Sequence, residues 1–142
     1  MRNRMVIALL AAVVLLAAAA CAPGPALVTG GASAATAQPP YRTIGPEEAR
    51  DMMRQNQEYI LLDVRTQEEY DEAHIAGAVL LPDYQIAENA AAQLPDKEAV
   101  ILVYCRSGRR SAAAAQMLAA MGYANVYDFG GILDWPYDTV TR

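Results

Sequence analysis

Three arginines within five positions stand out in an acidic chain, and here they follow a cysteine: Cys105-Arg106-Ser107-Gly108-Arg109-Arg110-Ser111. Val100 to Tyr104 is a continuous apolar run, and from Arg109 an alanine-rich helical pattern extends to about Met121. Cys105 therefore falls at the carboxyl end of a strand and just before a helix, where open α/β sheets bind ligands. Three effects act on its thiol there. The helix amino end carries positive partial charge, successive backbone N–H groups of such a turn form an anion-binding nest, and the guanidinium groups add full charges. All three favour thiolate over thiol. Gly108 permits a positive φ, which lets the N–H groups converge. The cradle that stabilises a thiolate also accepts an oxyanion, or the terminal sulfur of a persulfide on Cys105.

Other residues are candidates for support. Asp63 ends an apolar strand, and an unpaired carboxylate there would be expensive, so it is expected to accept hydrogen bonds from loop backbone or to pair with an arginine. Arg65 is expected to pair with a carboxylate of the helix spanning Thr66 to Glu72. His74, the single histidine, reads as a hydrogen-bonded structural residue, and Tyr123 and Trp135 as packing residues. No cluster has metal-ligand spacing and no Gly-rich nucleotide fingerprint occurs, so neither metal nor cofactor is expected.

The elements that must hold these residues alternate between strand and helix. Tyr59 to Val64 and Val100 to Tyr104 read as central strands buried on both sides, with shorter strands at Arg42 to Ile44, Ala78 to Leu81 and Asn125 to Phe129. Helices are expected from Pro46 to about Gln55, from the Thr66-Gln67-Glu68-Glu69 capping box, from about Tyr84 to Gln93, and from Arg109 to about Met121. A final turn spans Ile132 to Trp135. This rhythm implies βαβ units, an α/β class, and a parallel sheet covered on both faces.

The segment Cys105-x-x-Gly108-x-Arg110-Ser111 resembles the active-site loop of the rhodanese family of sulfurtransferases. Leu62-Asp63-Val64-Arg65, Glu69-Tyr70 with His74-Ile75-Ala76-Gly77-Ala78 and Pro82, and Gly130-Gly131-Ile132 with Trp135 resemble further blocks of that family in the same order. Ala73 stands where the family usually has Gly. The resemblance implies a three-layer fold with a mainly parallel five-stranded sheet. It implies ping-pong transfer of sulfane sulfur from thiosulfate or a persulfide donor, through a Cys105 persulfide, to cyanide or a thiol, small or on a protein. Arg110 best fits the motif arginine that meets the anion, while Arg106 and Arg109 occupy variable positions that tune substrate choice. A seven-residue loop marks related phosphatases and arsenate reductases, whereas Cys105 to Arg110 spans six, a tighter bowl suited to sulfur. A carrier module that loads sulfur but turns over poorly is the alternative.

Composition sets the outer limits. The 142 residues carry a net charge of −5; without Arg2 and Arg4, the 11 basic residues become 9 against 16 acidic ones. No basic stripe exists to displace counterions from nucleic acid. Arg2 and Arg4 precede the apolar run Met5 to Ala20, which stops at Cys21 in the layout of an export signal. Leu16 to Cys21 resembles a bacterial lipoprotein box, with Ala18 where a larger aliphatic residue is usual. Residues 1–20 are thus expected to be a signal peptide and 21–40 a linker, lipid-anchored at Cys21 or simply flexible, before a domain over 41–142. Cleavage near Ala35-Thr36-Ala37 and an uncleaved anchor are the alternatives. The protein is expected to be exported, periplasmic or at the cell surface, touching the membrane only through lipid. At about 5–6 Å times the square root of its length, the linker would hold the domain roughly 25 Å from the anchor.

Overall fold

The computed structural model describes residues 41–55 and 58–142. The expected leader, Cys21 and linker lie outside the described residues. Five strands form one sheet: β1 (Arg42–Thr43), β2 (Tyr59–Asp63), β3 (Val79–Leu80), β4 (Val100–Cys105) and β5 (Asn125–Gly131). Their order is β1-β5-β4-β2-β3, and every pairing is parallel. Each parallel step needs a crossover, supplied in part by α1 (Pro46–Gln55), α2 (Gln67–Glu72), α3 (Ile86–Gln93) and α4 (Arg109–Ala120).

Strand alternation divides the core in two. Leu62, Val64, Ile101, Val103 and Cys105 pack with Ile86 and Ala90 of α3 and with Ala114, Ala115 and Leu118 of α4. Leu61, Leu102 and Tyr104 point the other way, with Ala49 of α1 and with Ile44, Ile75 and Phe129. Both faces of β2 and β4 are covered, which is why their sequences read as unbroken apolar runs. Alanine on α4 lets the helix lie close to the sheet.

The expected elements are all present, with shifted ends. Pro46 opens α1, and Thr66 caps α2 in a full capping box with Glu69. The helix expected from Tyr84 starts instead as a 3-10 turn over Asp83–Gln85 before α3 proper. The two outer strands are shorter than expected, and β5 runs two residues further, into Gly130 and Gly131. An irregularity between Val103 and Cys105 pairs Cys105 with Gly131. β4 is the strand at which the chain stops building toward β3 and turns toward β5. Cys105 is its last residue.

Candidate active site

Beyond Cys105 the chain bends through Arg106 and Ser107 and enters α4 at Gly108, whose φ is +93°. The amino end of α4 has no side-chain cap, so its leading N–H groups are free to serve the sulfur. The Gly108 N–H donates to Cys105 Sγ at 3.1 Å. Cys105 is 1% exposed, and burial pushes its thiol up. Opposing this are the Ser111 N–H and hydroxyl and the N–H groups of Ser107 and Gly108, and together they leave the thiol below its ordinary value. The nest outweighs the burial.

Two glycines at the end of β5 make room for this loop. A Cβ on Gly131 would stand 2.3 Å from the Arg106 carbonyl oxygen and 2.6 Å from Ser107 Cα. Only a bare α-carbon fits beneath the turn. Gly130, at φ +91°, has its Cα 3.5 Å from where a Cβ on Gly108 would stand. The Ser111 hydroxyl lies 3.0 Å from the Gly108 carbonyl and 3.1 Å from that of Gly130, tying the loop to the strand. Asp128 accepts the Gly130 N–H at 3.0 Å, and the Leu133 N–H donates to the Arg106 carbonyl at 3.2 Å.

The arginines do not act as a set. Arg106 and Arg109 are exposed, without an ion pair among the described residues. Arg110, expected to meet the anion, gives both terminal nitrogens to Glu69 of α2 at 2.8 Å each. The fork of a guanidinium matches a carboxylate bidentately, and Glu69 is within reach. Arg110 is thereby held further into its charged form, by Glu69 first and by Cys105 among lesser causes.

Asp63 accepts a backbone N–H and pairs with an arginine, and that arginine is Arg65. Asp63 is fully buried and accepts from the Arg65 N–H at 2.9 Å, from Nε at 2.9 and 3.1 Å, and from Nη2 at 2.6 Å. Arg65 also donates to the Ala73 carbonyl at 2.6 Å. Its partner is therefore not a carboxylate of α2 but Asp63, two residues back, as the chain bends at Arg65 on leaving β2. The pair fixes both ends of α2 and so presents Glu69 to Arg110. His74 is 8% exposed, gives Nδ1 to the Tyr70 carbonyl at 2.8 Å and stacks on the Tyr70 ring.

Glu69, Gly131 and Asp128 escape a reading of the sequence. Glu69 is visible there as a capping residue and in the Glu69-Tyr70 block, and Gly131 in the Gly130-Gly131-Ile132 block, but neither with its contact to the cysteine loop.

Residues 45–136 match the rhodanese-like domain. The chain belongs to that family. Thiosulfate sulfurtransferase PspE of Escherichia coli strain K12 is 40% identical over 73 residues, 51% of this chain and 70% of that protein. Thiosulfate sulfurtransferase GlpE of Coxiella burnetii strain RSA 331 is 35% identical over 96 residues, 67% of this chain and 87% of that one. A solved rhodanese with anions from E. coli superposes with a TM-score of 0.56 at 36% identity, over 59% of this chain and 99% of the other. The fold is that of the family, and the chain is a rhodanese-type sulfurtransferase, an enzyme class that needs a sulfur donor and an acceptor.

Proposed function

We propose that this chain moves sulfane sulfur from thiosulfate, or from a persulfide, to a thiol or cyanide, with Cys105 as nucleophile and carrier. The supporting observation is Cys105 Sγ among converging N–H groups, with Gly108 N at 3.1 Å. The Cys105 thiolate attacks the outer sulfur of thiosulfate, the sulfur–sulfur bond breaks, and sulfite leaves with the bonding pair. The same N–H groups that held the thiolate then receive the negative terminal sulfur of the persulfide. An acceptor thiolate or cyanide takes that sulfur and returns Cys105 to thiolate.

Six residues from Cys105 to Arg110 favour a sulfur atom over a phosphoryl group. Intact mass after thiosulfate treatment tests the first half-reaction: the wild type gains one sulfur, cyanide removes it, and Cys105→Ser gains none. Transfer retained by Cys105→Ser defeats the assignment, as does phosphatase turnover exceeding sulfur transfer.

We also propose that the protein is exported and lipid-anchored at Cys21, on the strength of the basic start, apolar run and small residues before that cysteine. Several acyl chains would hold it, since each buried CH₂ contributes about 0.8 kcal/mol. Palmitate labelling of wild type and Cys21→Ser decides the matter; equal label in both overturns the anchor.

A further inference from the structure

Beside the Cys105 loop runs a groove of about 220 Å³ lined by Arg65, Glu69, Glu72, Arg106, Ile132 and Leu133. Two of its four charges are already engaged: Arg65 by Asp63 and the Ala73 carbonyl, Glu69 by Arg110. The Glu72 carboxylate and the Arg106 guanidinium remain, exposed and in no ion pair among the described residues. Ile132 and Leu133 supply an apolar wall, and Leu133 is 67% exposed although large and hydrophobic. The Leu133 N–H on the Arg106 carbonyl fixes that wall to the loop. The groove thus offers one anion, one cation and an apolar face, and Arg106, the residue after Cys105, joins it to the cysteine loop.

We propose that this groove is the acceptor site and that it selects a small zwitterionic thiol, an amino-acid thiol such as cysteine, with carboxylate on Arg106 and ammonium on Glu72. The inference rests on the sulfur-transfer reading above. Size permits it: a groove of about 220 Å³ has room for a small amino acid. Two opposite charges on one ligand also discriminate against simple anions and simple amines, each of which leaves one charge of the groove unanswered. In the step itself the acceptor thiol gives its proton to solvent, and its thiolate attacks the outer persulfide sulfur. The bond from that sulfur to Cys105 Sγ breaks, its electron pair stays on Sγ as thiolate, and the acceptor leaves as a persulfide.

The test uses thiosulfate as donor and four thiols as acceptors: cysteine, cysteamine without the carboxylate, 3-mercaptopropionate without the ammonium, and 2-mercaptoethanol with neither. In a ping-pong scheme, kcat/KM for the acceptor reports only the second half-reaction. Comparing variant with wild type for one thiol removes that thiol's own nucleophilicity. Glu72→Gln is expected to lower kcat/KM about five-fold for cysteine and cysteamine and less than about two-fold for the other two, the size suited to one partly exposed charged contact. Arg106→Gln is expected to lower it similarly for cysteine and 3-mercaptopropionate. Equal effects on all four thiols in both variants overturn the zwitterion site while leaving sulfur transfer standing. Failure of thiosulfate to load Cys105, read by intact mass, overturns the sulfur-transfer reading and this inference with it.

Discussion

Glu69 holds Arg110 through two parallel hydrogen bonds of 2.8 Å, across 41 residues of sequence. The arginine that ends the cysteine loop is thereby paired with a carboxylate on α2. What stabilises the sulfur anion at close range is amide hydrogen, with Arg110 acting from behind.

Removing the carboxylate charge should sharpen the field on the thiol. Glu69→Gln leaves Arg110 without its counter-charge, and a glutamine still completes the capping box with Thr66. The Cys105 thiolate midpoint, followed by ultraviolet thiolate absorbance against a Cys105→Ser blank, is expected to move to lower pH. Alkylation by iodoacetamide near neutrality should quicken by about two- to three-fold. A midpoint that stays put or rises shows that Arg110 does not act on the sulfur.

The same pair governs acid stability. Arg110 holds the Glu69 carboxyl at about 2, well below its ordinary 4.5. A depressed acid contributes stability that is fully present above its unfolded value and is lost as pH falls from about 4.5 through about 2. The pair is 23–25% exposed, so screening limits its worth to about 1–2 kcal/mol. Urea unfolding should separate wild type from Glu69→Gln by that amount near neutrality, and the gap should narrow below pH about 4.5 and close only below about 2.

Much of this was legible in sequence because it depends on neighbours along the chain. The runs at β2 and β4 needed no partner to be recognised, and the Thr66–Glu69 capping box is written into four consecutive residues. The ends of β1 and β3 were less legible because these are edge strands, each paired on one side only. No spacing rule brings Glu69 to Arg110, so their pairing is not legible along the chain. Charge alone does not tell which carboxylate faces Arg65, and it is Asp63, two residues back, rather than one on α2. Gly131 carries no signal of its own: the oxygen it must clear belongs to Arg106, on another strand's exit loop.

Ser111 should act on the sulfur in the opposite sense to Glu69. Its N–H favours the thiolate, as does its hydroxyl, whose single proton is shared with the Gly108 and Gly130 carbonyls, and alanine removes only the hydroxyl. Ser111→Ala is expected to raise the thiolate midpoint while the remaining N–H groups keep it below a free cysteine. It also releases the tie to the Gly108 and Gly130 carbonyls, costing about 1 kcal/mol. A lowered midpoint would exclude the hydroxyl as a donor to sulfur.

Gly131 and Gly77 provide a contrast between steric and conformational demand. Gly131→Ala drives a methyl into the Arg106 carbonyl, so the cysteine loop must move, and sulfur transfer should fall at least about ten-fold, as for other small misplacements of reacting groups. At Gly77, with φ +83° and nothing within 4 Å of a Cβ, alanine meets only backbone strain. Gly77→Ala should cost about 1 kcal/mol of stability, with transfer per folded molecule changed less than about two-fold. Thermal unfolding and initial rates on the two variants check this; equal losses of activity would show that the close approach at Gly131 is not what seats the loop.

Asp63 is the most severe test of the scaffold behind the site. Its carboxylate answers three donors of Arg65, and both residues are buried. Asp63→Asn leaves a guanidinium charge without its counter-ion, which costs about 3 kcal/mol, more than a surface pair of the same geometry. Because Arg65 also holds Ala73, the loosened segment is the one carrying α2, and Glu69 should lose its fixed position opposite Arg110. The thiolate midpoint of Asp63→Asn is therefore expected to move in the same direction as that of Glu69→Gln. In the double variant the two shifts should add to less than their sum, since both act through one ion pair. Full additivity would show that Asp63 reaches the sulfur by a route other than Glu69 and Arg110.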